Sequence, residues 1–289
     1  MPNNSAPRLS IAGGTHQRRD DDYEEFCTFL EATCGITLGN NKRYLVDSRL
    51  RAMLDEYRFG SLRELVRAAR SETGNHLKVR IINAMATNET SWFRDIYPFE
   101  YLQDVILPDL ARNPATVPKI WSAACSYGHE PYSISISVQE YLDKNPGLLP
   151  GGVEITGTDI STRALEQART AEYDELNLSR GLSAERLARY FTVHGNRLRV
   201  SDPVRRRVRF LDLNLLKSYS LLGKFDVIFC RNVLIYFSNE NKSQILSKIE
   251  AVMKPAAWLF LGASEPIINY SDAFEMINCS RGVVYRKKT

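Results

Sequence analysis

The chain has 289 residues, 44% of them hydrophobic and 25% charged, with Lys+Arg 38 against Asp+Glu 34 for a net charge of +4. These proportions exclude a collagen-like, coiled-coil or wholly disordered chain, and the near balance of charge does not by itself call for a nucleic-acid partner. No stretch approaches the ~18 apolar residues of a membrane span. The start, Met1 to Asp22, lacks a signal-peptide run, and Cys27, Cys34, Cys125, Cys230 and Cys279 form no C-x-x-C. A cytoplasmic protein with reduced thiols, no zinc site and no membrane insertion is the expectation.

Residues 1–19, rich in Asn, Ser, Pro, Gly and Arg, read as a disordered tail. Asp20, Asp21 and Asp22 suit a helix N-terminus, and Tyr23, Phe26, Phe29 and Leu30 fall on one face of a helix that Gly35 closes. Further helices are expected from about residue 42 to 57, with Val46, Leu50, Met53, Leu54 and Tyr57 as the apolar stripe, from 61 to 70, and through 77–85. Residues 20–90 thus read as a small all-helical domain. Between Lys42 and Arg80 ten basic residues stand against five acids. Arg51 and Arg58, seven apart, point the same way at ~3.6 residues per turn and could dock an acidic partner; a solvated helix face is the competing reading.

Residues 91–118, carrying Pro98, Pro108, Pro114 and Pro118, connect to a region where strands alternate with helices, the pattern of a parallel α/β sheet. Strands are expected at 119–122, 153–158, 207–211, 225–230 and 257–261, with helices at 131–142, 162–170 and 239–253 between them. Residues 274–276 and 282–286 read as a closing antiparallel pair. Phe191 to Val193 and Arg197 to Val200, flanking His194-Gly195-Asn196, read as an inserted β-hairpin.

In an open parallel sheet the ligand lies beyond the carboxyl ends of the strands. The first strand delivers Ser122-Ala123-Ala124-Cys125-Ser126-Tyr127-Gly128-His129-Glu130, where small residues let backbone approach a ligand, but neither G-x-G-x-x-G nor G-x-x-x-x-G-K-[ST] is present. The second delivers Asp159, a ribose acceptor or a helix N-cap. The third delivers Asp212-Leu213-Asn214 and the fourth Arg231-Asn232. A ribose acceptor without a phosphate cradle points to an adenosyl ligand lacking pyrophosphate, of which S-adenosylmethionine is the common one.

Four runs closely resemble the chemotaxis receptor glutamate methyltransferases, the CheR family: Thr87-Asn88-Glu89-Thr90-Ser91-Trp92-Phe93-Arg94-Asp95; Trp121 to Cys125 with Glu130-Pro131-Tyr132-Ser133; Gly157-Thr158-Asp159-Ile160-Ser161; and Phe229-Cys230-Arg231-Asn232-Val233-Leu234-Ile235-Tyr236-Phe237. The resemblance spans about residues 20–289. It implies an α/β, Rossmann-like, seven-stranded S-adenosylmethionine-dependent methyltransferase fold over 119–289, an all-helical N-terminal domain, a linker at 91–118 passing over the cofactor, and a small antiparallel β-subdomain at about 190–206. It also implies roles. Asn88, Thr90 and Arg94 sit on the linker, with Arg94 at the methionine end or the incoming carboxylate. Glu130 and Asp159 take the amino and ribose groups, Asn214 and Leu215 line the adenine pocket, Arg231 and Asn232 complete the site, and Tyr236 offers a substrate-facing hydroxyl. Capping, core and ion-pair roles compete for Thr90, Leu215 and Arg231. The family usually has Thr-Gly-Glu-Glu where this chain has Tyr127-Gly128-His129-Glu130, and His129 as a catalytic base is the alternative that this departure raises.

By the same resemblance the substrate is a set of glutamates on the cytoplasmic helical domain of transmembrane chemoreceptors, methylated to esters with release of S-adenosylhomocysteine. A side-chain carboxyl with a pKa near ~4.3 is already ionised at pH 7, so no base and no metal is needed; Arg94 and Tyr236 are expected to position oxygen, methyl and sulfur in line. Some family members bind a receptor C-terminal pentapeptide through a longer glycine-rich loop, and the short His194-Gly195-Asn196 turn implies independence of that tether. A nucleic-acid methyltransferase and a non-catalytic adaptor are the rival readings. The Asn/Asp-Pro-Pro-Tyr motif of many amino-methylating enzymes is missing, and the presence of Asn88, Arg94, Glu130, Asp159 and Asn232 speaks against an adaptor, although Tyr127 could narrow the pocket. A monomer with no nucleic-acid partner is expected.

Overall fold

The structure, a computed structural model, describes residues 12–289 except Pro114, with side chains described from Asp20 onward apart from Asn40. The tail expected over residues 1–19 lies outside the described residues up to Ile11, and from Ala12 the backbone is helical. The chain divides into two compact units, Met1–Met85 and Ala86–Thr289. Among the described residues no helix is long and apolar enough to cross a membrane.

The first unit is all helix: α1 (Ala12–Cys34), α2 (Arg43–Tyr57), α3 (Leu62–Arg70) and α4 (Asn75–Met85). Asp20, Asp21 and Asp22 lie inside α1 rather than at its start. Acids are tolerated there because cations meet them: Arg63 Nε lies 2.9 Å from Asp22, and Arg43 pairs with Asp20. Gly35 ends α1 with φ 80°, its N–H donating to the Glu31 carbonyl at 2.8 Å. Phe26, Leu30, Val46, Leu50, Leu65, Val66 and Ile81 are fully buried and form the unit's core. Ser61 caps α3 by accepting from the Glu64 N–H, while the Glu64 carboxylate accepts from the Gly60 N–H at 2.7 Å.

Arg58 does not continue α2. It is the left-handed residue past the helix end (φ 57°), so its seven-residue spacing from Arg51 does not place it on Arg51's face, contrary to the sequence expectation. Both are exposed.

The second unit opens with a short helical stretch, α5 (Tyr97–Tyr101), a π turn and α6 (Leu107–Leu110). There follow β1 (Lys119–Ala123), α7 (His129–Lys144), β2 (Glu154–Asp159), α8 (Thr162–Thr170), β3 (Glu172–Tyr173), α9 (Glu175–Ser179), α10 (Ala184–Tyr190), β4 (Phe191–His194), β5 (Arg197–Val200), α11 (Asp202–Arg205), β6 (Val208–Asp212), β7 (Phe225–Cys230), α12 (Asn239–Ala251), β8 (Met253–Leu261), β9 (Phe274–Cys279) and β10 (Gly282–Lys287). The main sheet runs β6-β2-β1-β7-β8-β10-β9, and a small antiparallel sheet runs β3-β5-β4. Strands β6 to β8 are parallel, and β10 is antiparallel to both β8 and β9, so the reversed strand lies one in from the edge.

Chain order runs outward from β1 through β2 to β6, then returns to β7 on β1's other side. That reversal falls at the carboxyl ends of β1, β2 and β7, where open α/β sheets hold their ligands. Apolar side chains from both sheet faces make the core, with Ile120, Trp121, Val227, Ile228, Phe229 and Phe260 fully buried.

Candidate active site at the strand ends

The turn after β1 is held open by backbone conformation. Ala124, Ser126 and Gly128 all have positive φ (55°, 51° and 86°). The strain, about 1–3 kcal/mol for each non-glycine residue, persists because neighbours determine the path. The Cys125 N–H donates to the Thr158 carbonyl at 2.8 Å and the Ser126 N–H to Asp159 Oδ2 at 2.7 Å. A Cβ on Gly128 would lie 3.0 Å from Ala168 Cβ and 3.1 Å from the Tyr173 hydroxyl oxygen, so only glycine fits without a shift. The second Asp159 oxygen accepts from the Ser161 N–H at 2.8 Å. Burial pushes the Asp159 carboxyl up from its ordinary value, the amides of Ser161, Ser126 and Ile160 pull it back, and the Asp212 carboxylate adds to the rise.

The segment leading to α5 is clamped beside this turn. Ser126 Oγ donates to the Asn88 carbonyl at 2.9 Å, and Asn88 Nδ2 donates to Ser161 Oγ at 3.4 Å. Trp92 is buried with its ring centroid 4.9 Å from His129, 5.0 Å from Tyr173 and 5.3 Å from Phe191. The Trp92 backbone N–H donates to the Arg180 carbonyl, and a Cβ on Gly181 would fall 2.1 Å from the Trp92 carbonyl oxygen. The Phe93 N–H donates to Ser133 Oγ at 3.1 Å. Phe93, Asp95 and Ile96 are again left-handed (φ 46°, 67° and 58°).

One arginine ties that strained bend to the sheet. The Arg231 side chain, 2% exposed, donates from Nη1 to Glu130 Oε2 at 2.8 Å and from Nη2 to Asp95 Oδ2 at 2.6 Å and the Arg94 carbonyl at 2.8 Å. The other Glu130 oxygen accepts from Ser122 Oγ at 2.7 Å. Three segments (the bend, the start of α7 and the end of β7) thus converge on one guanidinium, whose planar fork suits several acceptors at once. Among the competing roles, Arg231 holds the ion-pair one, and both Glu130 oxygens already have donors.

Opposite this network, the Glu265 carboxylate accepts from the N–H groups of Asn232 (2.6 Å), Gly262 (2.7 Å) and Ile235 (3.1 Å). Burial pushes the Cys230 thiol up, and the Glu265 and Glu130 charges beside it add to the rise. Glu265 carried no sequence signal, since a lone acid after a strand has no periodicity to mark it.

The remaining candidates fall as follows. Arg94 is half-buried, and its guanidinium has no ion-pair or hydrogen-bond partner among the described residues. Thr90 and Tyr236 are also half-buried, the latter ending the 3₁₀ turn Leu234–Tyr236. Asn214 Oδ1 accepts from the Leu216 N–H at 2.9 Å, and Leu215 is buried in the core beside Tyr219. Asn232 is left-handed, φ 57°. Arg51 lines an open groove of the helical unit with Arg43, Arg63 and Arg67, but Asp22, Asp47, Asp55 and Glu64 line it too. His129 does not fit the role of a base: it packs between Trp92 and Tyr173, and burial, with the Arg180 charge, pulls it down to about 4.

These residues fit an adenosyl sulfonium. Asp159 accepts from the amides of Ser126, Ser161 and Ile160, and with about four lone-pair sites its carboxylate keeps capacity for a hydroxyl. The turn beside it presents small side chains, and the strand order is that of the S-adenosylmethionine-dependent methyltransferases. The model for the CheR methyltransferase, SAM binding domain matches residues 88–283, and that for the CheR methyltransferase, all-alpha domain matches residues 21–86. The chain is 51% identical over 269 residues to chemotaxis protein methyltransferase 1 of Pseudomonas aeruginosa, covering 92% of this chain and 98% of that protein. It is 49% identical over 270 residues to chemotaxis protein methyltransferase 1 of Vibrio cholerae, covering 93% and 98%. The solved magnesium protoporphyrin IX methyltransferase from Synechocystis, with bound S-adenosylmethionine, is 17% identical and covers 78% of this chain and 96% of its own, at a TM-score of 0.37. The chain belongs to the CheR methyltransferase family, and it is an S-adenosylmethionine-dependent methyltransferase of chemotaxis.

Proposed function

We propose that the enzyme methylates glutamate side chains on the cytoplasmic helical domain of transmembrane chemoreceptors, forming methyl esters, and that it needs no receptor C-terminal pentapeptide. The observation that carries this reading is Arg94. It is a cation without a protein partner among the described residues, on a bend clamped beside the strand ends, whereas Arg231, Arg180 and Arg186 are all paired with acids. An unpaired guanidinium there suits an anionic acceptor group.

When bound, S-adenosylmethionine supplies an electrophilic methyl group on a sulfonium. Asp159 accepts from the ribose hydroxyls, Asn214 and Leu215 wall the adenine, and Asn88, Thr90, Glu130, Arg231 and Asn232 shape the remainder of the cofactor site. The glutamate substrate arrives ionised at neutral pH, so the protein has orientation and water exclusion to provide rather than proton removal. Arg94 holds the incoming carboxylate, and the Tyr236 hydroxyl steadies it. An arginine bond that is too tight would stabilise the ground state, so a half-buried guanidinium suits positioning.

Docking of the acidic receptor surface falls to the basic helical unit, with Arg51 and Arg58 among its exposed cations. Independence of the tether is supported by the hairpin, where only Gly195 and Asn196 separate β4 from β5, leaving no loop to hold a peptide.

The test is incubation with tritiated S-adenosylmethionine and purified chemoreceptor cytoplasmic fragments, with and without the pentapeptide. Alkali-labile label on receptor, lost in Arg94→Ala, is expected from both fragments. Alkali-stable label, or transfer only to the tethered receptor, would overturn the substrate or the tether reading respectively.

A further inference from the structure

We infer that Glu265 is a positioning residue for methyl transfer: its carboxylate sets the path of the segment from Asn232 to Tyr236, and through that segment the placement of Asn232 and the Tyr236 hydroxyl. This rests on the reading that the strand ends form the transfer site. The geometry is specific. Glu265 is 5% exposed, and its three acceptor contacts come from two segments some thirty residues apart in sequence. Its own N–H donates to the Gly262 carbonyl at 3.0 Å, so the turn after β8 is closed on itself while the side chain reaches across to the end of β7. A Cβ on Gly262 would lie 2.5 Å from Glu265 Oε2, 2.8 Å from Asn232 Nδ2 and 2.9 Å from the Asn232 nitrogen, so a side chain at 262 would displace the clamp.

The division of labour between the two oxygens makes the inference testable. Oε2 accepts from Asn232 and Gly262, and Oε1 accepts from Ile235 alone, inside the 3₁₀ turn that ends in Tyr236. All three protein groups are donors, so only an acceptor-only side chain satisfies them together. A glutamine keeps its carbonyl oxygen for the Asn232 and Gly262 pair and turns its NH₂ toward Ile235, where two donors face one another. Glu265→Gln thus releases the Tyr236 turn while keeping the Asn232 clamp.

For Glu265→Gln we expect kcat to fall at least tenfold on receptor fragments, with S-adenosylhomocysteine affinity by calorimetry within about threefold of wild type. In a Tyr236→Phe background the same change should cost less than about threefold, because Glu265 acts through that hydroxyl. The Ile235 amide, followed by hydrogen exchange, should open at least tenfold faster in Glu265→Gln, with the Asn232 amide unchanged. Glu265→Ala should lose cofactor affinity as well as turnover. The role is overturned if Glu265→Gln turns over and exchanges like wild type, or if its loss in kcat is the same with and without the Tyr236 hydroxyl. Arg94→Ala tests the site itself: normal turnover there overturns the placement of the transfer site and this role with it. A crippled Arg94→Ala beside a normal Glu265→Gln overturns the role of Glu265 alone.

Discussion

Replacing Arg231 with alanine tests whether the bend that carries Arg94 is held by protein or by ligand. Removing one partner of a buried, hydrogen-bonded ion pair costs about 3–5 kcal/mol, because the remaining charge is left without compensation. Here the Glu130 side chain is 13% exposed and takes most of that loss, while the Asp95 carboxylate, 38% exposed, is partly rescued by water and accounts for ~1 kcal/mol or less. For a unit of this size each kcal/mol lowers Tm by about 2–4 °C, so the ligand-free enzyme should melt ~6–20 °C lower. Arg231→Lys keeps the charge, but a single ammonium cannot serve the acceptors that the planar fork reaches, so it should recover less than half of the loss. The assay is calorimetric unfolding with and without S-adenosylhomocysteine. If Arg231→Ala melted within about 1 °C of wild type when ligand-free and differed only in ligand affinity, Arg231 would be a cofactor contact and the tie would be refuted.

Three more predictions follow from the same geometry. His129 is held neutral to about 4 by burial, whereas its unfolded value is near 6.5, so the unfolded chain binds the proton first and stability falls as pH drops from ~6.5 toward 4. In urea unfolding, His129→Phe should lose less stability than wild type between pH 7 and pH 5, by ~2 kcal/mol, since only wild type carries this titration; equal losses would refute the buried neutral ring. The raised Asp159 works in the opposite sense in both proteins and cancels in that comparison. Gly128→Ala forces a Cβ into a left-handed position 3.0 Å from Ala168 Cβ; a loss of about 1–3 kcal/mol and weaker S-adenosylhomocysteine binding are expected by calorimetry, and unchanged binding would mean the turn does not shape the cofactor site. Arg51→Glu combined with Arg58→Glu should slow receptor methylation several-fold at low salt, with the gap closing as salt rises; an unchanged low-salt rate would remove the helical unit from docking.

How much of this was legible in sequence depends on how local each signal is. Helices α2 and α3 showed their apolar stripes, and the main parallel strands their buried runs, because periodicity needs only neighbours along the chain. The start of α1 was misplaced because three aspartates resemble an N-terminal signal, and in the folded unit Arg43 and Arg63 pair with two of them on the helix flank. Strand β3, of two residues, was too short to carry any pattern, and β8 starts at Met253 rather than near residue 257 because Pro255 and the left-handed Ala256 interrupt it in a bulge.

By itself the sequence determined the fold class, the family motifs and the candidate ring of strand-end residues, since each is written in short runs whose composition repeats what the backbone needs. Tertiary structure alone decided which of those residues bind one another. Arg231 meets Glu130 across 101 residues and Asp95 across 136, Glu265 reaches Asn232 across 33, and Arg58 leaves the face of Arg51 in a single left-handed step. A buried hydrogen-bonding group takes whichever partner the closed chain delivers, and that choice is made only once the sheet has brought its strand ends together.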